Sequence, residues 1–161
     1  LDTRSTFDPP APKKRRRKKA PLAVAGWREW AGFPALGVER IKAKLDTGAK
    51  TSAIHAFKVK TMTREDGTLW AEFYLHPVQK RRRPEIFCAA PIVDRRRIKS
   101  SNGKSEERIV VRTMLRLGEK EWPIDLSLTN RDEMGFRLLI GRDALRRRFI
   151  VDPSASFLLG K

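Results

Sequence analysis

Cysteine and histidine are nearly absent: Cys88, His55 and His76 are all that 161 residues contain. One thiol closes no internal disulfide, which suits a reducing compartment. There is no His-Glu-x-x-His sequence and no cysteine pair, so His55, His76, Cys88 and Asp46 form no recognisable ligand pattern, and no metal is expected. Gly48-Ala49-Lys50-Thr51 has a superficial likeness to a phosphate loop, but the Gly-Lys-Thr order and the leading glycine are missing. Neither a nucleotide nor any other cofactor is therefore expected, and Ser-His-Asp chemistry finds no local frame. No apolar run approaches the ~20 residues of a membrane helix. Nor does an apolar stretch ahead of a small-residue cleavage site mark a secretory leader. A cytoplasmic protein without membrane contact is expected, with its natural N-terminus upstream of Leu1, since the chain does not open on Met.

Negative charge is scarce as well. Thirty-six basic residues face 19 acidic ones, a net +17. Residues 1–25 hold eight basic and two acidic side chains, a net +6, so the remaining chain still carries +11. Pro9, Pro10, Pro12 and Pro21 surround the cationic run Lys13–Lys19. Adjacent like charges with no apolar face to bury predict a disordered arm over 1–25 and one folded domain over 26–161. Such an arm contacts phosphate or other anions, or serves solubility alone. A basic folded part points further, to an anionic partner: nucleic acid, a ribosome surface or an acidic polypeptide.

From Val24 onward short alternating segments dominate. Trp27 and Trp30 are read as core or edge packing, and Gly32–Gly37 as a turn. In Val38–Leu45, residues Ile41, Ala43 and Leu45 share one side and Arg40, Lys42 and Lys44 the other, the period of a half-buried strand. Phe57–Thr63 and Leu69–Leu75 read as strands joined by an Asp66-Gly67 hairpin turn. Ile86–Val93 is a further strand. Arg108–Leu117 and Trp122–Leu128 alternate in the same way, Leu138–Ile140 is a short buried strand, and a helix of about two turns is expected from Gly141. Phe149–Val151 with Ser156–Leu159 completes the sheet. Many short strands, frequent turns and one helix predict an all-β, barrel-like fold.

Two motifs carry chemistry. The strand ending at Leu45 delivers Asp46-Thr47-Gly48-Ala49, a carboxylate on a turn where glycine lets the backbone pass close by. Downstream stands Leu139-Ile140-Gly141-Arg142. An apolar strand leading to Asp-Thr-Gly, followed at this separation by an apolar pair and Gly-Arg, resembles the retroviral-type, single-lobe aspartic peptidases. The longer string Leu45–Ala56 and the approach Gly26-Trp27-Arg28-Glu29-Trp30 are similar to a bacterial retropepsin-like aspartic peptidase family once labelled ATP-dependent zinc proteases. The resemblance covers roughly 26–160. It implies a retropepsin-like barrel, peptide-bond hydrolysis and, from the frequent proximity of glutamate ligases in that family, acidic glutamate-rich tails as substrates.

In that chemistry two carboxylates share one proton and activate a water between them. The chain holds no second Asp-Thr-Gly, so the resemblance implies a homodimer in which the Asp46 of a second copy completes the pair. Thr47, Gly48 and Ala49 then support the catalytic turn. Ser101, Asn102 and Gly103 form the tip of a flap over the peptide, and Leu139, Ile140, Gly141 and Arg142 brace the turn from below. Viral members carry Asp where this chain has Lys50. Arg142 therefore needs another partner, Asp143 or a carboxylate elsewhere. For Asp46 the plainer reading is a carboxylate that caps its own turn. For the whole chain the rival is a non-catalytic module on the same fold, docking on RNA or ribosomes through its basic segments.

Overall fold

The computed structural model describes residues 21–78, 81–99, 103, 105–130 and 135–160. Ten strands follow one another: β1 (Ala23–Phe33), β2 (Val38–Asp46), β3 (Ser52–His55), β4 (Phe57–Thr63), β5 (Leu69–Leu75), β6 (Ile86–Lys99), β7 (Ser105–Leu117), β8 (Lys120–Thr129), β9 (Leu138–Gly141) and β10 (Phe149–Ser156). One short helix, α1 (Arg142–Leu145), lies between β9 and β10. The strands hydrogen-bond in the order β10-β1-β2-β9-β3-β8-β7-β6-β5-β4. A further pairing of β1 with β7, Ala31 with Leu117 and Gly32 with Arg116, closes β1-β2-β9-β3-β8-β7 into a six-stranded barrel. The expected all-β architecture is what forms.

Alternation decides which face each strand buries. Ile109, Val111, Thr113, Leu115 and Leu117 of β7 point inward, as do Trp122, Ile124, Leu126 and Leu128 of β8. Ile41, Ala43 and Leu45 of β2 meet them in the same core, with Phe33, Ile54, Leu138 and Ile140 fully enclosed. Each such aliphatic or aromatic side chain contributes about 1.5–3 kcal/mol by leaving water. A second group, Ala71, Phe73 and Leu75 of β5, is buried, with Leu69 only half-buried.

Several expectations need correction. Residues 23–33, given no element from the sequence, form a strand. Its hidden anchor is Glu29, which is fully buried and accepts hydrogen bonds from the backbone N–H groups of Gly26 (2.6 Å), Leu158 (2.8 Å) and Leu159 (3.1 Å). Ser52–His55 is also strand, between β8 and β9. The predicted Gly32–Gly37 turn is a 3-10 turn over Pro34–Leu36 closed by Gly37 in the left-handed region (φ 74°). The helix after Gly141 runs one turn instead of two. Arg146 is already extended and Arg147 left-handed (φ 68°), because the chain must turn back to bury Phe149. The last strand runs unbroken from Phe149 through Ser156 and ends there, instead of breaking after Val151 and continuing to Leu159. Phe157 is left-handed (φ 56°), and the amides beyond it go to Glu29 instead of a neighbouring strand.

Trp30 packs at the edge of the lobe, stacked on Phe157 with centroids 5.6 Å apart and capped by the Arg40 guanidinium at 3.8 Å. No helix among the described residues is long and apolar enough to cross a membrane.

Candidate active site

Strand β2 buries Leu45 and leaves Asp46 half-exposed at its end. It runs parallel to β9, so Asp46 stands beside Gly141, and the two motifs distant in sequence become one structure. Within the turn the Gly48 N–H donates to Asp46 Oδ1 at 3.0 Å, and the Ala49 N–H to the Asp46 carbonyl at 3.2 Å. A side chain at position 48 would set its Cβ 3.2 Å from that carboxylate oxygen, so glycine keeps the carboxylate accessible. Thr47 is exposed in the single chain. The capping role of Asp46 is thus real, and it leaves Oδ2 with no hydrogen-bond partner among the described residues.

Helix α1 braces the far side of the turn. The Arg142 N–H donates to the Ala49 carbonyl (2.7 Å) and the Asp143 N–H to the Lys50 carbonyl (3.0 Å). The Gly141 N–H donates to the buried Ser52 hydroxyl at 3.0 Å. Gly141 must lack a side chain, since a Cβ there would lie 2.5 Å from the Thr51 carbonyl oxygen and 2.9 Å from that of Ala49. Arg142 supports the site through its backbone. Its side chain is exposed and has no carboxylate partner among the described residues, and Asp143 instead lies 3.9 Å from Arg146.

Strands β6 and β7 form a long hairpin paired as far as Lys99 with Ser105, and Gly103 near its tip is left-handed (φ 82°). β6 runs on past Val93 to Lys99 and β7 begins at Ser105 ahead of Arg108, the two held in part by cross-strand Arg95–Glu107 (Nε to Oε1, 2.7 Å). Ser101 and Asn102, the other expected flap residues, lie outside the described residues. A cavity of about 340 Å³ opens between the hairpin and Thr51–Ser52 just after the Asp46 turn, lined also by Arg96, Arg108, Arg112 and Ser127. Asp125 binds Arg112 there (2.9 Å), which holds the guanidinium pKa above its ordinary value.

The scattered candidate ligands do not converge. His55 is buried and stacks on Phe57, which also packs against His76 at 4.2 Å and Tyr74 at 5.8 Å between ring centroids. Cys88 lies under the 3-10 turn, its thiol 3.6 Å from the Leu36 carbonyl, and burial pushes its pKa up to about 12. Among the described residues no three His, Cys, Asp or Glu side chains gather as a metal site would require. Sequence reasoning missed Ser52 and Glu29, whose neighbouring residues carry no cue to their partners. It also missed Arg137, which is buried and donates to the carbonyls of His76, Val78 and Arg81 at 3.2, 2.8 and 2.6 Å.

Comparison with known proteins agrees with this geometry. A Legionella pneumophila protein described as of unknown function has a crystal structure that superposes with a TM-score of 0.72 at 28% identity, covering 85% of this chain and 98% of that one. Proteins named probable alpha-L-glutamate ligase are 50% identical in Shewanella pealeana and 49% in Shewanella halifaxensis, each over 86% of this chain. One from Parasynechococcus marenigrum is 43% identical over 85%. The chain spans 29–30% of the length of these relatives. The family model described as retropepsin-like aspartic endopeptidase RimB matches residues 24–161, and the braced Asp-Thr-Gly turn on a single-lobe barrel is the architecture that description names: the chain belongs to the RimB-like family of retropepsin-like aspartic endopeptidases.

Proposed function

We propose that this protein is an aspartic peptidase that hydrolyses peptide bonds as a homodimer, with Asp46 of each copy contributing one carboxylate. The observation that carries the reading is the Asp46 turn itself. It presents a carboxylate half-open to solvent while its backbone is fixed by α1 amides and by Gly141. One such carboxylate is half of an acid–base pair. Two facing each other cannot both ionise, so one remains protonated to donate while the other takes a proton from the attacking water. The pair then titrates as a unit. Thr47, exposed on the single chain, is placed to be covered when two turns meet.

The proposed substrate is an acidic, glutamate-rich polypeptide segment. Its support is the net +17 of the chain, and the occurrence of this domain within relatives named for glutamate ligation. Cleavage of glutamate-rich peptides by the wild type and by Asp46→Asn tests the mechanism. Loss of general acid–base catalysis is expected to lower kcat by about 10³-fold or more. Equal activity in the two proteins would remove the aspartic mechanism, and a strictly monomeric active enzyme would remove the shared site.

A further inference from the structure

The cavity between Thr51–Ser52 and the β6–β7 hairpin contains an unbalanced charge. Arg96 and Arg108 are direct partners across the two strands. Like charges set opposite each other in a sheet repel, and the arrangement persists only with counter-charges nearby. Arg96 has one in Asp94, at 2.6 Å, and Arg112 has one in Asp125, at 2.9 Å. Arg108 is half-buried and has no carboxylate partner among the described residues. These three guanidinium and two carboxylate groups leave the cavity with one uncompensated positive charge, at Arg108. Beside it stands a second unmet demand. Ser127 on β8 is 5% exposed, lines the same cavity, and its hydroxyl has no hydrogen-bond partner among the described residues.

We propose that Arg108 and Ser127 form a specificity subsite for a carboxylate-bearing side chain of the peptide substrate, close to the bond cut at Asp46; this rests on the peptidase reading above. The guanidinium offers a planar fork matched to a carboxylate, and the Ser127 hydroxyl donates to one of its oxygens. Thr51 and Ser52 tie the subsite to the catalytic turn: they line the cavity, and Ser52 also holds Gly141. A peptide laid from the turn toward the hairpin places a side chain here. Arg96 and Arg112, already engaged, shape the walls.

Binding to the Asp46→Asn protein tests the subsite without consuming the peptide. The probes are tetraglutamate and tetraglutamine, both acetylated and amidated so that only side chains carry charge, titrated by calorimetry. Tetraglutamate is expected to bind about ten-fold or more tightly than tetraglutamine, as a charge-assisted fork implies. Arg108→Gln is expected to bring the ratio close to one, and Arg108→Lys to restore part of it, because the charge returns without the fork. Arg97→Gln removes the same charge from an exposed position on β6 and is expected to leave the ratio in place. Ser127→Ala is expected to weaken tetraglutamate alone, and it answers the question if Arg108→Gln fails to fold. A ratio that survives loss of Arg108, or that falls equally with Arg97→Gln, overturns the proposal. Absence of cleavage by the wild type would instead sink the peptidase reading, which this binding ratio does not measure.

Discussion

Substituting Gly141 by Ala tests whether the two motifs form one mechanical unit. The new Cβ would lie 2.5 Å from the Thr51 carbonyl oxygen, 2.6 Å from its carbon and 2.9 Å from the Ala49 oxygen, all of them backbone atoms. An ordinary carbon–oxygen contact needs about 3.4 Å, so the turn must retreat by about 1 Å. The same backbone is held by Arg142 N–H at 2.7 Å and Asp143 N–H at 3.0 Å, and a shift of that size breaks both bonds. Overpacking costs about 1–3 kcal/mol, and each lost hydrogen bond about 1 kcal/mol more. A total of about 3–5 kcal/mol corresponds to a fall in Tm of roughly 10–15 °C for a domain of this size. Gly135→Ala is the control, because nothing lies within 4 Å of a Cβ there; it is expected to stay within about 0.5 kcal/mol of wild type. Thermal melting by circular dichroism reads the stability. Peptide cleavage, measured well below the variant's own Tm, reads the site, and a misplacement of about 1 Å is expected to cost about 100-fold in rate. A Gly141→Ala protein that melts with the wild type and cleaves at its rate would show that α1 does not brace the turn.

Three further outcomes are expected. Glu29→Ala removes the acceptor of three backbone N–H groups and is expected to cost about 3 kcal/mol; hydrogen exchange at Leu158 and Leu159 should accelerate sharply, and amides that stay protected would contradict the anchoring role. Cys88 should resist alkylation in the native protein at about pH 8 and react readily once denaturant is added, because the thiolate is the reactive form. Its pKa rises on folding from 9.0 to about 12, so the stabilising contribution of the buried thiol is complete below pH 9 and is lost as pH climbs toward 12; stoichiometric labelling of the native protein within minutes would refute the burial. Deleting residues 1–25 removes eight basic side chains. If the arm meets single-stranded RNA, the slope of log affinity against log salt should flatten by up to about 6, and an unchanged slope would exclude the arm from any such contact.

Much of the architecture could be read from spacing alone. Alternation in 108–117 and 122–128 located β7 and β8 and their buried faces, since a strand beside a core has no other way to separate apolar from charged side chains. The Asp66-Gly67 turn placed the β4–β5 hairpin, whose tip is confirmed by the Gly67 N–H donating to the Arg64 carbonyl. Asp46-Thr47-Gly48 and Gly141-Arg142 were visible as motifs because each asks for particular residue types at adjacent positions.

What spacing could not reveal are relations between distant positions. Position 29 holds an acid in a strand, and nothing local says that amides from 158 and 159 will bury it. Arg96, Arg108 and Arg112 are alike in the sequence, and only folding separates the two with aspartate partners from the one that has no carboxylate partner among the described residues. The residue types alone determined that the chain would be a small β-barrel presenting one carboxylate on a glycine turn, because periodicity and turn chemistry are local properties of a chain. Tertiary structure decided that α1 grips that turn, that β1 meets β7 to close the barrel, and that Arg96 and Arg112 find aspartate partners while Arg108 has none among the described residues, because hydrogen bonds and charges are balanced in space and not along the chain.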